Sequence, residues 1–298
     1  MAPSEPHAAL PEGVRLKRLR EDDIVEALAL SAEPGWNQIA ADWRIFLELG
    51  EAYGLTAEDE GGRLIASAAI LPHGDRFGWI GMVLVTRAQQ RRGLARWLLR
   101  HSIEALEARR LVPLLDATPA GRAVYLDLGF EDCWSLRRLV LRQPPRAGAA
   151  AAVEGVRLHP LKPADWPAAI AYDCAVFGAE RGTLLRRLAE RLPPAALIAE
   201  RGGEIAGVLL GRDGRLMNQL GPLVADDDTV ARALLGRAVV AVGAPLAIDV
   251  ADRHARLGEW LGALGFTSER PLTRMICGRN AAFGDPVRLF AIAGPELG

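Results

Sequence analysis

The chain repeats part of its own sequence, and this internal repeat limits the folds that it can adopt. Residues 13–23 read GVRLKRLREDD, and residues 155–165 read GVRLHPLKPAD, 142 positions later. The tripeptide LGF at 128–130 recurs at 264–266, 136 positions later. Two matches in the same order and at similar offsets are typical of a duplicated domain, whereas coincidence among common residues would rarely produce both. We therefore predict two copies of one fold.

The length of the chain and the composition between the repeats indicate the domain boundaries. A chain of 298 residues exceeds the usual size of one domain. Residues 143–153 read QPPRAGAAAAV, which is typical of a linker. We predict a disordered leader over 1–12, a first copy over 13–142, and a second copy over 154–298 that follows the linker.

Composition argues against several classes of function. The formal net charge of −1 provides no basic excess for a nucleic acid. No apolar stretch is long and uncharged enough to cross a bilayer, and residues 1–13 lack the pattern of a secretory signal. Cys133, Cys174 and Cys277 are too few and too scattered for a disulfide framework or a zinc site. We expect a cytoplasmic protein without a membrane or nucleic-acid partner, and the sequence leaves its oligomeric state open.

Residues 78–100 predict a strand, a basic glycine loop and a helix. Residues 79–85, WIGMVLV, have the length and composition of a buried strand, and QRRGLA follows at 90–95. From Leu94 onwards, apolar residues recur at helical spacing and arginines occupy the opposite face. Arginines in the first turn of a helix are unfavourable beside the positive end of its dipole unless an anion binds there. The pattern favours a phosphate held by backbone N–H groups, and a solvated arginine face is the alternative.

The meaning of this loop depends on its context, because it is neither of the two common nucleotide motifs. It lacks the Gly-Lys-Ser/Thr of a Walker loop and the three glycines of a dinucleotide fingerprint. Residues 111–118 predict the next strand, which we expect to run parallel to the first because a helix connects them. A short helix from Pro119 then carries Tyr125 and ends in LGF at 128–130.

The loop and the tyrosine segment together resemble the GNAT family of acyl-CoA-dependent N-acetyltransferases. The matching residues are Gln90-x-x-Gly93-x-Ala95 and, thirty residues further on, YLDLGF at 125–130. The resemblance covers roughly residues 13–142. It implies an α/β (α+β) fold in which two tandem GNAT-like domains each have a mixed, twisted central sheet flanked by helices. It also implies an acyltransferase that uses acetyl-CoA and no metal.

The resemblance assigns a set of residues to the cofactor. In the family, the loop holds the pyrophosphate through its backbone, and three arginines are candidates here for direct pairing. The pantetheine arm pairs like an extra strand with the cofactor strand, where a backbone N–H polarises the thioester carbonyl. The expected cofactor-binding residues are Met82, Val83, Val85, Gln90, Arg91, Arg92, Gly93, Leu94, Ala95 and Arg96.

Two residues are candidates for proton transfer, each with an alternative. Tyr125 matches the general acid of the family, because a phenol is protonated at neutral pH and can donate to the leaving thiolate. The alternative is a tyrosine whose ring packs in the core. Asp116 ends the strand after the loop, where it either orients or deprotonates the amine or caps the turn at 118–119. A partly neutral amine requires no base, since positioning alone supplies about 7–11 kcal/mol.

Three residues are candidates for binding the acyl acceptor. Trp36 and Asn37 follow the first predicted helix, where GNAT acceptors are usually held, and Trp36 is alternatively a core anchor. His73 follows Pro72 in a predicted turn and is alternatively a surface histidine.

The second copy keeps the frame of the first but lacks its phosphate site. Residues 192–211 predict a hairpin, 219–224 the counterpart of the cofactor strand, and 230–242 the helix that follows it. Between the last two, 226–229 read DDDT, which favours a helix cap. A metal site is a weaker alternative, because consecutive side chains diverge. We therefore assign acetyl-CoA to the first copy and expect the degenerate second copy to buttress it and to line the acceptor pocket.

Three functions remain open from the sequence. The leading hypothesis is an acetyl-CoA-dependent N-acetyltransferase that acts on a primary amine of a small molecule or peptide. The second is a non-catalytic acyl-CoA sensor or scaffold, and the third is a structural partner protein with neither activity. The presence of Tyr125 together with a complete phosphate loop favours the enzyme.

Overall fold

A computed structural model describes residues 9–146 and 153–298. These residues form two compact units that divide between Leu114 and Leu115. Residues 1–8 of the predicted leader and 147–152 of the predicted linker lie outside the described part of the chain.

The first unit is a mixed sheet with three helices packed on its middle strands. The strands are β1 (Val14–Arg18), β2 (Glu51–Ala57), β3 (Arg63–His73), β4 (Phe77–Val85) and β5 (Val112–Ala117), whose last residues belong to the second unit. The helices are α1 (Ile24–Ala32), α2 (Ala40–Leu49) and α3 (Leu94–Glu107). Strands β1 to β4 pair antiparallel in chain order, and β5 lies parallel to β4. This parallel pairing confirms the prediction made from the connecting helix.

Helix α3 shows why this part of the fold could be read from the sequence. Its buried side chains recur at intervals of three and four residues, so that one face packs on β3 and β4. These buried residues are Leu94, Leu98, Leu99, Ser102, Ile103 and Leu106. The glycine at position 78 of β4 permits close contact, because a Cβ atom there would lie 2.3 Å from Leu106 Cδ2.

The second unit contains a larger mixed sheet. Its helices are α4 (Pro119–Leu126), α5 (Trp166–Phe177), α6 (Gly182–Arg191), α7 (Asp228–Val242) and α8 (Ala255–Leu264). Its strands are β6 (Phe130–Leu141), β7 (Val156–Pro160), β8 (Leu197–Arg201), β9 (Glu204–Arg212), β10 (Asn218–Ala225), β11 (Leu246–Ala251), β12 (Thr267–Cys277) and β13 (Leu289–Ala291). They are ordered β12-β6-β11-β13-β10-β9-β8-β7. The predicted hairpin, cofactor-strand counterpart and following helix are β8–β9, β10 and α7.

Strand β6 pairs with two strands of the second copy. Its sequence places it in the first copy, yet it lies antiparallel between β11 and β12. Arg138 of β6 is opposite Asp249 on one side and Arg270 on the other. The compact units divide at 114–115, and the boundary predicted from the sequence at 143–153 stays a prediction. Hydrophobic patterning identifies strands but does not show which strands of the two copies pair.

None of the helices in the described ranges is long and apolar enough to cross a membrane.

Candidate active site

Strand β4 is irregular at the positions expected to contact the thioester. Met82 has a φ of +53°, which is uncommon for a residue with a Cβ atom. The pairing of β3 with β4 shifts register between Ser67 and Ala69, so that a bulge forms opposite this point. The hydroxyl of Ser67 donates to the carbonyl oxygen of Met82 at 2.9 Å and holds the bulge. Backbone strain of this kind is concentrated at functional sites.

The parallel pairing of β4 with β5 is short. It runs from Phe77 opposite Val112 to Trp79 opposite Leu114, and β4 continues to Val85. Met82 is buried, whereas Val83 and Val85 are partly exposed. The second half of β4 thus extends past its paired segment, as required for a strand edge that accepts an extended ligand.

The basic loop presents its backbone at the N-terminus of α3. Arg91 and Gly93 have positive φ angles of +63° and +79°, and Gly93 is the residue before the first turn. Both residues and Arg92 are exposed. A Cβ atom at Gly93 would meet nothing within 4 Å, so packing does not require a glycine here. The glycine instead allows the positive φ angle and leaves the backbone open to a ligand. The first N–H groups of α3 have no partner within the helix, which makes this end suited to an anion.

Side chains on neighbouring segments hold the loop in place. Gln89 is buried, and its amide nitrogen donates to Oε1 of Glu60 at 2.6 Å. Its amide oxygen accepts a hydrogen bond from the guanidinium of Arg92. On the other side, the backbone N–H of Arg87 donates to Oε1 of Glu33 at 2.9 Å. Sequence analysis missed these supporting residues, because their partners lie 29 and 54 positions away.

Four other residues of the expected cofactor set lie in different environments. Gln90 is exposed, and its amide donates to the carbonyl of Val85 at 3.3 Å. Leu94 is buried, so only its backbone is available to a ligand, while Ala95 and Arg96 are partly exposed.

Tyr125 lies on α4 with its ring folded back over the preceding turn. A Cβ atom at Gly121 would lie 3.0 Å from the phenol oxygen, so glycine leaves room for the ring. The ring also contacts Phe130, with 6.1 Å between ring centroids. Among the described residues none forms a hydrogen bond with the Tyr125 hydroxyl. Burial raises the pKa of Tyr125 to about 12, because the charged phenolate is poorly solvated there.

Asp116 is placed differently from both sequence-based expectations. Its two carboxylate oxygens accept hydrogen bonds from Nε and Nη2 of Arg274, each at 2.9 Å, and its side chain is fully buried. Burial raises the pKa of Asp116, and the Arg274 guanidinium opposes this shift. The turn is capped instead by Thr118, whose Oγ1 accepts from the N–H of Gly121 at 3.3 Å. The capping alternative is therefore wrong, and a buried ion pair does not favour a role as the general base.

The three acceptor-site candidates lie in the first unit. Trp36 is partly exposed in the segment between α1 and α2, and the neighbouring Asn37 is buried. His73 is the last residue of β3 rather than part of a turn, and it is 2% exposed. It packs against Phe77 and Trp79, at 5.7 and 6.4 Å between ring centroids. The expectation of a surface histidine in a turn is corrected, because the strand extends through position 73.

The aspartates of the second copy form a helix cap and ion pairs. Oδ1 of Asp227 accepts from the N–H of Val230 at 2.9 Å, which confirms the predicted cap of α7. Each carboxylate pairs with a different arginine: Asp226 with Arg288, Asp227 with Arg201, and Asp228 with Arg232. Across the described ranges no group of three or more potential ligands converges to hold a metal ion.

The strand edge that corresponds to the expected donor site is occupied in the second copy. Strands β10 and β11 pair in parallel over only three positions, 218–220 with 246–248, as β4 and β5 do. Past this point β13 pairs with both strands, with Ala291 opposite Leu223 and Val250. The second copy therefore has its own backbone where an extended ligand would lie.

Comparisons with known proteins agree with this architecture. Residues 21–130 match the profile of the acetyltransferase (GNAT) family, and residues 169–291 match that of an acetyltransferase (GNAT) domain. Together the two matches span most of the chain. The chain is 25% identical over 254 residues to YitH of Bacillus subtilis (strain 168), described as an uncharacterised N-acetyltransferase, covering 84% of this chain and 87% of that protein.

Solved structures share the fold across both halves. A putative acetyltransferase from Pyrococcus horikoshii superposes with a TM-score of 0.77 at 22% identity and covers 99% of each chain. A tandem GNAT protein from the clavulanic acid biosynthesis pathway gives a TM-score of 0.65 at 17% identity, with 89% of this chain and 98% of that chain covered. The chain is a tandem acyltransferase of the GNAT family, with one GNAT domain in each half.

Proposed function

We propose that the chain transfers an acetyl group from acetyl-CoA to a primary amine of a small molecule or a peptide, and that the first copy alone binds the donor. The observation that carries this proposal is the loop at 90–96, where positive φ angles at Arg91 and Gly93 leave an exposed backbone at the N-terminus of α3. The corresponding turn of the second copy has three carboxylates and no glycine.

The pyrophosphate of the donor binds at this loop. Its charge is matched by the backbone N–H groups of the first turn of α3 and by the guanidinium groups of Arg91, Arg92 and Arg96. Arg92 is already held by Gln89, so less side-chain freedom is lost when phosphate binds. The pantetheine arm then lies along the second half of β4, beside Val83 and Val85.

In this proposal, a backbone N–H at the Met82 bulge donates to the carbonyl oxygen of the thioester. When the neutral amine attacks the carbonyl carbon, the C–N bond forms and negative charge develops on the carbonyl oxygen. A fixed N–H donor stabilises this charge more strongly in the transition state than in the ground state. The bulge held by Ser67 supplies such a donor without rearrangement during the reaction.

Tyr125 donates the proton that the leaving group needs. As the tetrahedral intermediate collapses, the C–S bond breaks and the thiolate of CoA takes the phenolic proton, and the phenolate then regains a proton from solvent. With a pKa of about 12, the phenol is protonated throughout the neutral range. The partly exposed Trp36 and its neighbour Asn37 remain the proposed acceptor contacts. His73 packs against Phe77 and Trp79, and Asp116 is ion-paired, so neither is retained, and the amine proton passes to solvent. All three cysteines are free, which supports the proposed cytoplasmic location.

Calorimetric titration of the full chain with acetyl-CoA, followed by a thiol-release assay over a panel of amines, tests the proposal. We expect one donor per chain and CoA release with at least one primary amine. Saturable binding without release over a panel that includes amino acids, polyamines, aminosugars and peptide N-termini would favour the acyl-CoA sensor. Absence of binding would reject both functions.

A further inference from the structure

Two buried ion pairs join the copies in a symmetric manner. Arg138 and Arg274 are 136 positions apart, the same offset as the two LGF segments. Arg274 of the second copy binds Asp116 of the first, with both contacts at 2.9 Å. Arg138 of the first copy binds Asp249 of the second, at 2.9 and 2.7 Å. Each copy thus receives an arginine from the last long strand of the other.

The pair formed by Arg274 lies at the start of the segment that carries Tyr125. Asp116 is two residues before Thr118, which caps α4. The guanidinium of Arg274 also stacks over the ring of Trp134, 4.3 Å from its centroid. Both side chains of the ion pair are at most 6% exposed, so the position of the strand end is fixed by packing as well as by charge.

The other end of α4 is held by the same strand of the second copy. The N–H of Gly278, just after β12, donates to the carbonyl of Gly129 at 3.0 Å. Cys277 is opposite Phe130 in the pairing of β12 with β6. Helix α4 also packs directly against β12. The helix that carries Tyr125 is therefore held at both ends by residues of the second copy.

The matching ion pair precedes a helix that lacks the tyrosine. Asp249 lies on β11, and α8 follows this strand as α4 follows β5. The position 136 residues after Tyr125 is Leu261, which is fully buried in the core. The two pairs have the same chemistry and similar burial, but only one of them precedes a helix that carries the proposed catalytic hydroxyl.

We propose that Arg274 of the second copy is a positioning residue for the reaction in the first copy, and that it acts by fixing the segment between Asp116 and Tyr125. This inference rests on the proposed role of Tyr125 as general acid. It gives the second copy a function in catalysis that requires no ligand of its own.

The test compares Arg274→Lys with the matched control Arg138→Lys. Lysine keeps the charge but loses the two-pronged contact with the carboxylate and the stacking on tryptophan. For Arg274→Lys we expect kcat to fall roughly 10- to 100-fold, because a small displacement of a catalytic group has an effect of this size. KM for acetyl-CoA should stay within about twofold, since the phosphate loop is untouched. For Arg138→Lys we expect a similar loss of thermal stability and an unchanged kcat.

A double variant separates positioning from general destabilisation. If Arg274 acts through Tyr125, then adding Arg274→Lys to Tyr125→Phe should lower kcat no further, because the hydroxyl is already absent. Asp116→Asn, which is nearly isosteric, should lower kcat in the same way as Arg274→Lys. It replaces Arg274→Lys in the test if the lysine variant is insoluble.

Four results would overturn the inference. Equal losses of kcat in Arg274→Lys and Arg138→Lys would assign both pairs to stability alone. Additive effects in the double variant would show that Arg274 does not act through Tyr125. Normal turnover by Tyr125→Phe would reject the proposed general acid together with this inference, whereas a slow Tyr125→Phe beside a normal Arg274→Lys would reject the inference alone.

Discussion

The hydroxyl of Tyr125 forms no hydrogen bond with another residue in the described part of the chain. The ring is framed by Gly121 and Phe130, and burial raises the pKa of Tyr125 to about 12. Tyr172 in the second copy is the opposite case, because its hydroxyl donates to the carbonyl of Ala206 at 2.9 Å and contacts Asp226. These two tyrosines allow a catalytic hydroxyl to be distinguished from a structural one.

Tyr125→Phe should lower turnover by roughly 10²–10⁴, the usual contribution of a general acid. Affinity for acetyl-CoA and the melting temperature should change little, because this hydroxyl has no hydrogen-bond partner among the described residues. Tyr172→Phe is the control: it loses a hydrogen bond and stability of about 1–3 kcal/mol, but not turnover. Thiol release, calorimetry and thermal melting provide the three measurements. Near-normal turnover by Tyr125→Phe would assign the ring to packing alone.

The pKa of Tyr125 also predicts the pH dependence of the reaction. A phenol whose pKa is raised stays protonated to higher pH, so its catalytic form is complete below about pH 11. We expect kcat/KM to rise with pH as the amine loses its proton, and no decline from Tyr125 up to about pH 10. A decline between pH 8 and 9.5 that disappears in Tyr125→Phe would contradict the raised pKa. The rate profile should be recorded at saturating acetyl-CoA with the most active amine.

Single residues divide into those that the sequence could identify and those that it could not. Gly93 and Tyr125 belong to motifs whose residues lie within a few positions of one another, so the elements that carry them were predicted correctly. The ion pair of Asp116 was not predictable, because Arg274 is 158 positions away. The burial of His73 was missed because Pro72 suggested a turn, yet proline is tolerated in β3 at this point and the strand continues.

The strand, loop and helix at 77–107 form the element on which the proposed donor binding depends. Amphipathic spacing predicted both regular parts, and the glycine predicted the loop. The sequence could not show that hydrogen bonds from Gln89 to Glu60 and from Arg87 to Glu33 hold the loop in place. Such contacts join segments that only the folded sheet brings together, and no local pattern records them.

Gly93→Glu should abolish binding of acetyl-CoA while the fold is retained. The site has open space but a φ of +79°, so the substitution strains the backbone by about 1–2 kcal/mol and adds a carboxylate at the anion site. Gly202→Glu is the matched control, because Gly202 has a φ of +61° and open space in the β8–β9 turn. Both variants should have a slightly lower melting temperature, and only Gly93→Glu should lose acetyl-CoA binding in calorimetry. Unchanged affinity would place the phosphate elsewhere.

Strands from both copies of the repeat pair with one another within the second compact unit. The repeat correctly indicated two copies, and their bounds at 13–142 and 154–298 stay a prediction. The sequence did not show that strand β6 lies between β11 and β12, where it supplies backbone hydrogen bonds to both and the partner of Asp249. Hydrophobic alternation marks a strand but does not specify its neighbours, so an exchange between similar copies is invisible in the sequence.

This arrangement predicts that the halves do not fold when separated. A fragment of 150–298 lacks β6, which leaves a gap between β11 and β12 and an uncompensated buried carboxylate at Asp249. The loss of one partner from a buried pair alone costs about 3–5 kcal/mol, compared with a total stability of about 5–15 kcal/mol for a typical domain. We expect fragments 1–149 and 150–298 to be insoluble or to lack a cooperative melting transition when produced alone. Co-production should restore a soluble complex with thiol-release activity, because all strands are then present. A separately purified 150–298 fragment that melts cooperatively near the temperature of the intact chain would show that β6 is dispensable to the second copy.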